Sequence, residues 1–265
     1  MTQYRRSVLI LLPPSEGKRV PETGPRVALR SLTWPSMNAA RRQVLDALVD
    51  LCTSSPSRAA TAIGVTGTQR VLIEQNARLR TAPTAPAIEV YSGVLYDALD
   101  FDSLPSAARK RADSRIAISS ALWGLVRPGD PIPAYRFSAD SRLPGLPPLT
   151  QVWSQVVGAA IGEEKGVIVD MRSGAYEKLA PLPQSCAGRA VVLRILQDRR
   201  GTLSVVSHHN KATKGRLTAG LLTLAKEPRS IENLISALRS LGYRVKEGRG
   251  GGKGATTLDI IVKDL

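Results

Sequence analysis

Short runs of apolar and β-branched residues alternate along the chain with longer stretches in which apolar residues recur at three- and four-residue spacing. The short runs predict strands, and the spaced stretches predict helices with one buried face. This alternation is typical of an α/β fold with a mixed sheet and surrounding helices. Strands are predicted at 7–12, 116–118, 166–170, 190–196, 202–207, 243–246 and 256–262, and helices at 36–52, 69–79, 148–161, 211–226 and 231–241.

Turn-forming residues mark where several of these elements begin and end. Pro13 and Pro14 stop the first strand, because proline cannot donate a ladder hydrogen bond. Ser36 is the predicted N-cap of the first helix. The strands at 190–196 and 202–207 form a predicted hairpin. The glycine-rich stretch 248–254 has the composition of a phosphate loop, but its place between two strands favours a flexible hairpin tip.

The segment 127–148 carries six prolines and no regular periodicity. Ile132, Tyr135 and Phe137 give it apolar side chains to bury, so we expect a long but ordered loop. No internal repeat is visible, and the length of 265 residues is compatible with a single domain over 1–265.

Net charge is the strongest compositional signal. The chain has 37 Lys and Arg against 22 Asp and Glu, a formal net charge of +15. Such a field attracts polyanions, although a basic protein without an anionic partner would have the same composition. Nucleic acid is favoured over a membrane, because no basic amphipathic helix or lipidation signal is present. The longest apolar run near the start, Val8–Leu12, is too short for a signal sequence or a membrane span, so the expected location is the cytoplasm.

Cysteine and histidine are too few for most metal and redox sites. Cys52 and Cys186 are isolated, and we expect them to be buried thiols. His208 and His209 are adjacent, and as neighbouring strand positions they would point to opposite faces. We therefore expect no metal and no cofactor.

The first candidate site is the segment 13–18, which directly follows the first predicted strand. Ligands of open α/β sheets bind at the carboxyl ends of the strands. Ser15 can donate a hydrogen bond to an oxyanion there, and Lys18 adds positive charge. The spacing is not that of a Walker P-loop. A simple polar turn is the alternative.

The second candidate site is the segment 207–216. Asn210 is a predicted N-cap, and Lys211, Lys214 and Arg216 place three cations in the first turns of the helix that follows. Each unpaired cation there opposes the helix dipole at a cost of roughly 0.3–1 kcal/mol, so a bound anion would offset the strain. Arginines of the preceding hairpin extend the same positive field; they are Arg194, Arg199 and Arg200.

Two further polar clusters occur in the middle of the chain. Tyr91 lies in the motif Tyr-Ser-Gly-Val-Leu-Tyr, and Tyr135 and Arg136 end a proline-rich stretch. Tyrosine and arginine in loops can stack on bases and bind phosphates, although they more often anchor the loop. Lys178 is a further candidate polar contact.

These motifs resemble the YaaA family in order and spacing. The resemblance runs from about residue 8 to residue 241 and is most specific in Leu-Trp-Gly-Leu-Val-Arg-Pro followed by Tyr-Arg. The motifs are Leu-Leu-Pro-Pro-Ser-Glu-Gly-Lys at 11–18, Tyr-Ser-Gly-Val-Leu-Tyr at 91–96, Ser-Ser-Ala-Leu-Trp-Gly-Leu-Val-Arg-Pro-Gly-Asp-Pro-Ile-Pro-Ala-Tyr-Arg at 119–136 and Asn-Lys-Ala-Thr-Lys-Gly-Arg-Leu at 210–217.

The resemblance implies a cytoplasmic protein of the oxidative-stress response, similar to members that bind duplex DNA and limit damage by peroxide and free iron. It further implies a single compact α/β body with a positively charged cleft and a small helix-hairpin-helix-like subregion within 85–115. The binding residues carried over by motif are Ser15, Lys18, Arg136, Asn210, Lys211 and Arg216.

Two functions follow as hypotheses. In the first, the protein binds DNA through the basic cleft with little base specificity, phosphates lying along the cations of 194–216. In the second, it is an enzyme acting on a small phosphate- or nucleobase-containing substrate. Glu16 would then transfer a proton, and Lys18, Arg136 and Lys211 would hold the anion. The sequence leaves open whether there is any catalysis.

Overall fold

A mostly parallel sheet forms the framework of the protein. The computed structural model describes residues 8–199, 202–204, 207–248 and 254–262. The strand order in the main sheet is β4-β3-β1-β6-β7-β10-β9, and β8 pairs with β7. The strands are β1 (Leu9–Leu12), β3 (Ile116–Ser120), β4 (Gly124–Val126), β6 (Ile168–Asp170), β7 (Ala190–Arg199), β8 (Thr202–Ser204), β9 (Arg244–Glu247) and β10 (Thr256–Val262), while β2 (Ala85–Pro86) and β5 (Pro131–Ile132) pair separately.

The first strand lies inside the sheet. β1 pairs in parallel with β3 on one side and with β6 on the other. All four of its residues are buried apolar side chains, as expected of a strand that is covered on both faces. Because β3, β1, β6 and β7 run in the same direction, their carboxyl ends share one edge of the sheet.

Helices surround this sheet. The first half of the chain supplies α1 (Asn38–Ser54), α2 (Pro56–Ile63), α3 (Val71–Ala77), α4 (Ala87–Val90), α5 (Val94–Leu99) and α6 (Ser106–Arg115). The second half supplies α7 (Leu149–Glu163), α8 (Gly174–Leu179), α9 (Ser207–Thr223) and α10 (Ile231–Ser240). The mixed α/β class is thereby confirmed, and so are the antiparallel hairpins β7–β8 and β9–β10. The tip of the second hairpin, at 249–253, lies outside the described residues.

The prediction that Ser36 caps the first helix is wrong. Residues Pro35–Met37 form a 3-10 turn, and α1 begins at Asn38 without a side-chain cap. Proline fixes a helical φ and is favoured at the first position of a helical turn. Pro35 therefore starts the turn one residue before Ser36.

The predicted start of the helix at 211 is also wrong, because α9 begins at Ser207. Asn210 is thus not an N-cap, and His208 and His209 are helical residues and not strand residues. The inward-facing row of α9 continues backwards from Leu217 through Lys214, which is buried, to Asn210, which is partly buried. This 3-4 spacing continues the inward-facing row of α9 back to Asn210, four residues before Lys214.

The segment 85–115 contains three helices and a 3-10 turn. Its acidic first part forms α4 and α5, and its basic second part forms α6. The helix-hairpin-helix-like element stays a prediction.

The loop at 127–148 is ordered as predicted, with Ile132, Tyr135 and Phe137 all buried. Among the helices of the described residues, none has the length and apolar character that a membrane crossing needs.

Candidate functional site

The carboxyl edge of the sheet gathers polar side chains from three neighbouring strands. The turn 13–18 follows β1, Ser120 ends β3, and Asp170 ends β6. Loops at this edge are the usual ligand-binding position in open α/β sheets. The turn after β1 is therefore in the place that the sequence predicted.

Hydrogen bonds within the turn fix its shape. The Ser15 hydroxyl donates to the Gly17 carbonyl at 2.6 Å and accepts from the Ser92 amide at 3.0 Å. The Lys18 ammonium donates to the Ser15 carbonyl at 2.8 Å. Lys18 also forms an isolated antiparallel bridge with Tyr91. The turn is thus tied to the segment that carries the tyrosine motif.

Lys18 lies against two tyrosine rings. Its Nζ is 4.2 Å from the ring centroid of Tyr135 and 5.4 Å from that of Tyr91, within the range of cation–π interaction. The pKa of Lys18 is lowered from 10.5 to about 7, mainly by burial and in addition by the Arg136 guanidinium, while Glu16 opposes the shift. At neutral pH this amine therefore exists in both protonation states.

Arg136 closes the site on the side of Glu16. Its Nη1 donates to Glu16 Oε2 at 3.1 Å, and the Glu16 side chain is 82% exposed. Arg136 Nε is buried and has no hydrogen-bond partner. The buried Asn76 side chain fixes the Arg136 backbone, accepting from its amide at 2.9 Å and donating to its carbonyl at 2.7 Å.

A chain of hydroxyl groups runs beside Lys18. Ser120 Oγ is 2.7 Å from the Tyr135 hydroxyl, which is 2.8 Å from the Tyr91 hydroxyl. The amides of Leu122 and Trp123 both donate to Ser120 Oγ, at 3.2 and 3.0 Å. Burial raises the pKa of both Tyr91 and Tyr135, so their hydroxyls stay protonated at neutral pH.

Two more tyrosines pack around this centre. Tyr96 stacks on Tyr91 with ring centroids 5.4 Å apart, and its hydroxyl donates to the Pro13 carbonyl at 2.9 Å. Tyr176 is buried, and burial raises its pKa, with Tyr135 acting in the same direction. These rings make the surroundings of Lys18 largely apolar.

A second charged cluster lies at the end of β6. Asp170 and Arg172 form a fully buried ion pair, with Arg172 Nη2 2.6 Å from Asp170 Oδ2. Lys214 Nζ donates to the Arg172 carbonyl at 3.1 Å. Burial lowers the pKa of Lys214, and Asp170 and Glu177 oppose that shift. Burial raises the pKa of Glu177, and Asp170 raises it further. Lys214 is thus partly balanced by internal carboxylates.

The first turns of α9 lie at the same carboxyl edge of the sheet, where α9 packs against α5. A Cβ added at Gly215 of α9 would lie 2.2 Å from the Leu95 carbonyl oxygen of α5, so the two backbones are in close contact. The same α5 carries Tyr96, which bonds to Pro13. Asn210 Oδ1 and Thr213 Oγ1 are buried near this crossing without hydrogen-bond partners.

The other predicted binding residues are exposed, already paired or outside the described residues. Lys211 and Arg216 are exposed on α9. Arg194 forms a two-point pair with Asp259, at 2.7 and 2.9 Å. Lys178 is exposed and lines a wide groove of about 1100 Å³ beside α7. The side chain of Arg199 and all of Arg200 lie outside the described residues.

Several side chains of the site were missed in the sequence. Ser120 and Asp170 are the last residues of β3 and β6, Arg172 lies two residues after β6, and Tyr176 follows on α8. The position of a polar residue directly after a buried run was the available signal. Among the strand ends, only that of β1 was predicted to bind a ligand.

The two cysteines are buried, as predicted. Burial raises the pKa of Cys52 to about 11 and also raises that of Cys186. A thiol reacts with peroxide as the thiolate, so neither residue has the character of a peroxide-reactive cysteine. In the part of the chain that the structure describes, no three His, Cys, Asp or Glu side chains are grouped to hold a metal ion.

Comparisons with known proteins place this chain among bacterial relatives. The family model described as peroxide stress protein YaaA matches residues 8–249. A UPF0246 protein of Streptomyces coelicolor is 40% identical over 263 residues, covering 97% of this chain and 100% of the relative. UPF0246 proteins of Corynebacterium efficiens and Corynebacterium glutamicum are 38% and 36% identical, covering 92% and 91% of this chain and 96% and 95% of their own lengths.

Proposed function

The chain belongs to the peroxide stress protein YaaA family, and we propose that it binds and chemically converts a small phosphate- or nucleobase-containing molecule at the carboxyl edge of its sheet. The proposal rests on one observation, the environment of Lys18. A lysine whose pKa falls to about 7 in an aromatic enclosure can take up and release a proton at physiological pH. Strongly shifted pKa values are concentrated at functional sites.

Arg136 supplies the second element of the proposal. Its guanidinium lies beside Lys18 and keeps one buried N–H without a partner. An anionic group bound there would accept that hydrogen bond and would favour the charged form of Lys18. Glu16 is exposed and paired with Arg136, so in this proposal it orients the arginine and Lys18 transfers the proton.

Substitution of Lys18 in cells that lack their own copy of the gene tests the proposal. Lys18→Arg keeps a positive charge but cannot release its proton at neutral pH. We expect cells that carry Lys18→Arg or Lys18→Met to survive hydrogen peroxide no better than cells that lack the gene. Full protection by Lys18→Arg would show that charge alone is sufficient and would reject the catalytic proposal.

DNA binding is the second candidate function. It is favoured by the net charge of +15 and by the exposure of Lys211 and Arg216 on α9. It ranks second because two other cations of the predicted phosphate row are engaged internally: Arg194 pairs with Asp259, and Lys214 is buried near Asp170. If DNA coverage provides the protection, the double variant Lys211→Ala/Arg216→Ala loses it and Lys18→Arg keeps it.

A further inference from the structure

The hydroxyl chain beside Lys18 has a fixed direction. Ser120 Oγ already accepts the amides of Leu122 and Trp123. A hydroxyl has two acceptor positions and one proton, so Ser120 donates its proton to Tyr135 and does not accept a third. The two backbone amides therefore set the orientation of the first hydroxyl in the chain.

The direction continues to Tyr91. The Tyr135 oxygen accepts from Ser120, and its own proton is directed to the Tyr91 oxygen at 2.8 Å. Donation from Tyr135 opposes the raised pKa of Tyr91, and the same hydrogen bond adds to the raised pKa of Tyr135. The proton of Tyr91 has no acceptor among the hydrogen bonds of the described residues.

Tyr91 is not the only donor left unused at this place. Arg136 Nε–H is buried without a partner. Lys18, when protonated, has three N–H groups, and its acceptors are the carbonyls of Ser15 and Glu16. A buried donor without an acceptor costs free energy, so a ligand that supplies acceptors to these donors would remove that cost on binding.

We infer that the Tyr91 hydroxyl is a direct ligand contact that selects an oxyanion, either a carboxylate or a phosphate group, bound beside Lys18 and Arg136. This inference rests on the proposed small-molecule function and names the chemistry that its ligand must present. Ser120 and Tyr135 are positioning residues, because their hydrogen bonds leave the Tyr91 proton for the ligand. The ligand group is an acceptor, since Tyr91, Arg136 and protonated Lys18 each keep a donor for which the described residues supply no acceptor.

Binding of inorganic sulfate at pH 6.0 and constant ionic strength tests the inference. Sulfate keeps its charge across the pH range used, and Lys18 is protonated at pH 6.0. We expect Tyr91→Phe to weaken sulfate binding about tenfold or more, since one hydrogen bond to a charged group is lost. Ser120→Ala should weaken sulfate binding less than Tyr91→Phe does. Without Ser120, the Tyr135 oxygen can also accept from Tyr91, so the Tyr91 proton is available to sulfate for only part of the time. Tyr243→Phe, outside the site, is the control and should leave affinity unchanged.

The outcomes separate this inference from the proposed function. Wild-type affinity in Tyr91→Phe, with binding lost in Lys18→Met, overturns the role of Tyr91 and leaves the small-molecule site. Undiminished binding in Lys18→Met, or none in the wild type, overturns both. Loss in Tyr91→Phe and Lys18→Met, with affinity in the wild type falling between pH 6.0 and 8.5, supports both. Matched thermal unfolding of each Phe variant checks its fold.

Discussion

At the scale of single residues, the site contains polar groups whose burial costs free energy. Lys18 has lost much of its hydration, and Arg136 keeps an unused buried N–H. Residues held at such a cost are typical of functional sites, where the rest of the fold supplies the stability. The cost can be measured directly for Lys18.

Lys18 should make the stability of the protein depend on pH. Its folded pKa of about 7 is below the ordinary value of 10.5, so the unfolded chain binds more protons between these two values. Stability then rises with pH across this window, at a slope that approaches about 1.4 kcal/mol per pH unit. We expect Lys18→Met to lose this rise in urea unfolding between pH 7 and 10. An unchanged pH profile would show that Lys18 is solvated.

The buried pair Asp170–Arg172 should be strongly coupled to folding. Asp170→Asn leaves Arg172 buried without its counter-ion, which typically costs about 3–5 kcal/mol. Asp46, in a half-exposed pair with Arg80, is the matched control, and Asp46→Asn should cost less than about 1 kcal/mol. Chemical denaturation measures both, and equal effects would contradict the assignment of Asp170 to a buried cluster.

The candidate site was only partly predictable at this scale. Ser15, Lys18, Tyr91 and Arg136 were visible as polar residues in uncommon motifs. Tyr176 was not, because its role depends on α8 folding back against Tyr135, and sequence spacing carries no record of that packing. Arg194 was predicted to bind phosphate, and its pairing with Asp259 joins two strands 65 positions apart.

At the scale of secondary structure, the crossing of α5 and α9 positions the anion-binding candidates. Gly215 is required where the two backbones meet. The periodicity of Leu217, Leu221 and Leu224 predicted the body of α9. It could not predict the start, because the residues that continue the inward-facing row, Lys214 and Asn210, are polar, and apolar spacing does not detect them.

Gly215→Ala should be clearly destabilising. Its Cβ would lie 2.2 Å from the Leu95 carbonyl oxygen, a backbone atom that cannot move aside. Overpacking of this kind costs about 1–3 kcal/mol or more. Gly220 is the control in the same helix, because its added Cβ would meet only the flexible end of Leu241. We expect Gly220→Ala to be nearly neutral in thermal unfolding; a neutral Gly215→Ala would contradict the close crossing.

At the scale of the whole molecule, the class of the fold followed from the sequence, and the strand order did not. Continuous apolar runs indicated strands that are buried on both faces, and β1 and β6 are such strands. The order places β1 between β3 and β6, which are more than 100 and 150 residues away in the chain. Local patterns do not specify such pairings, since they depend on how the helices cover the sheet.

The net charge of +15 should give nonspecific affinity for DNA, whatever the cellular function. We expect binding to duplex DNA to weaken linearly in log affinity against log salt. If Lys211 and Arg216 contact phosphates, the double alanine variant should reduce the slope by about 2. A fluorescence anisotropy titration at several salt concentrations measures it. An unchanged slope would exclude α9 as the DNA-binding surface.

The two sides of the site, at Arg136 and at the turn after β1, differ in how firmly hydrogen bonds hold their backbone. On one side, the Asn76 side chain bonds both backbone groups of Arg136, as a neighbouring strand would. On the other, the exposed turn around Glu16 and Gly17 is held mainly by the Ser15 hydroxyl and the Lys18 amine. Deprotonation of Lys18 weakens its hydrogen bond to the Ser15 carbonyl and leaves the hydrogen bonds between Asn76 and Arg136 unchanged. The turn after β1 is therefore expected to be held more firmly when a bound anion keeps Lys18 protonated.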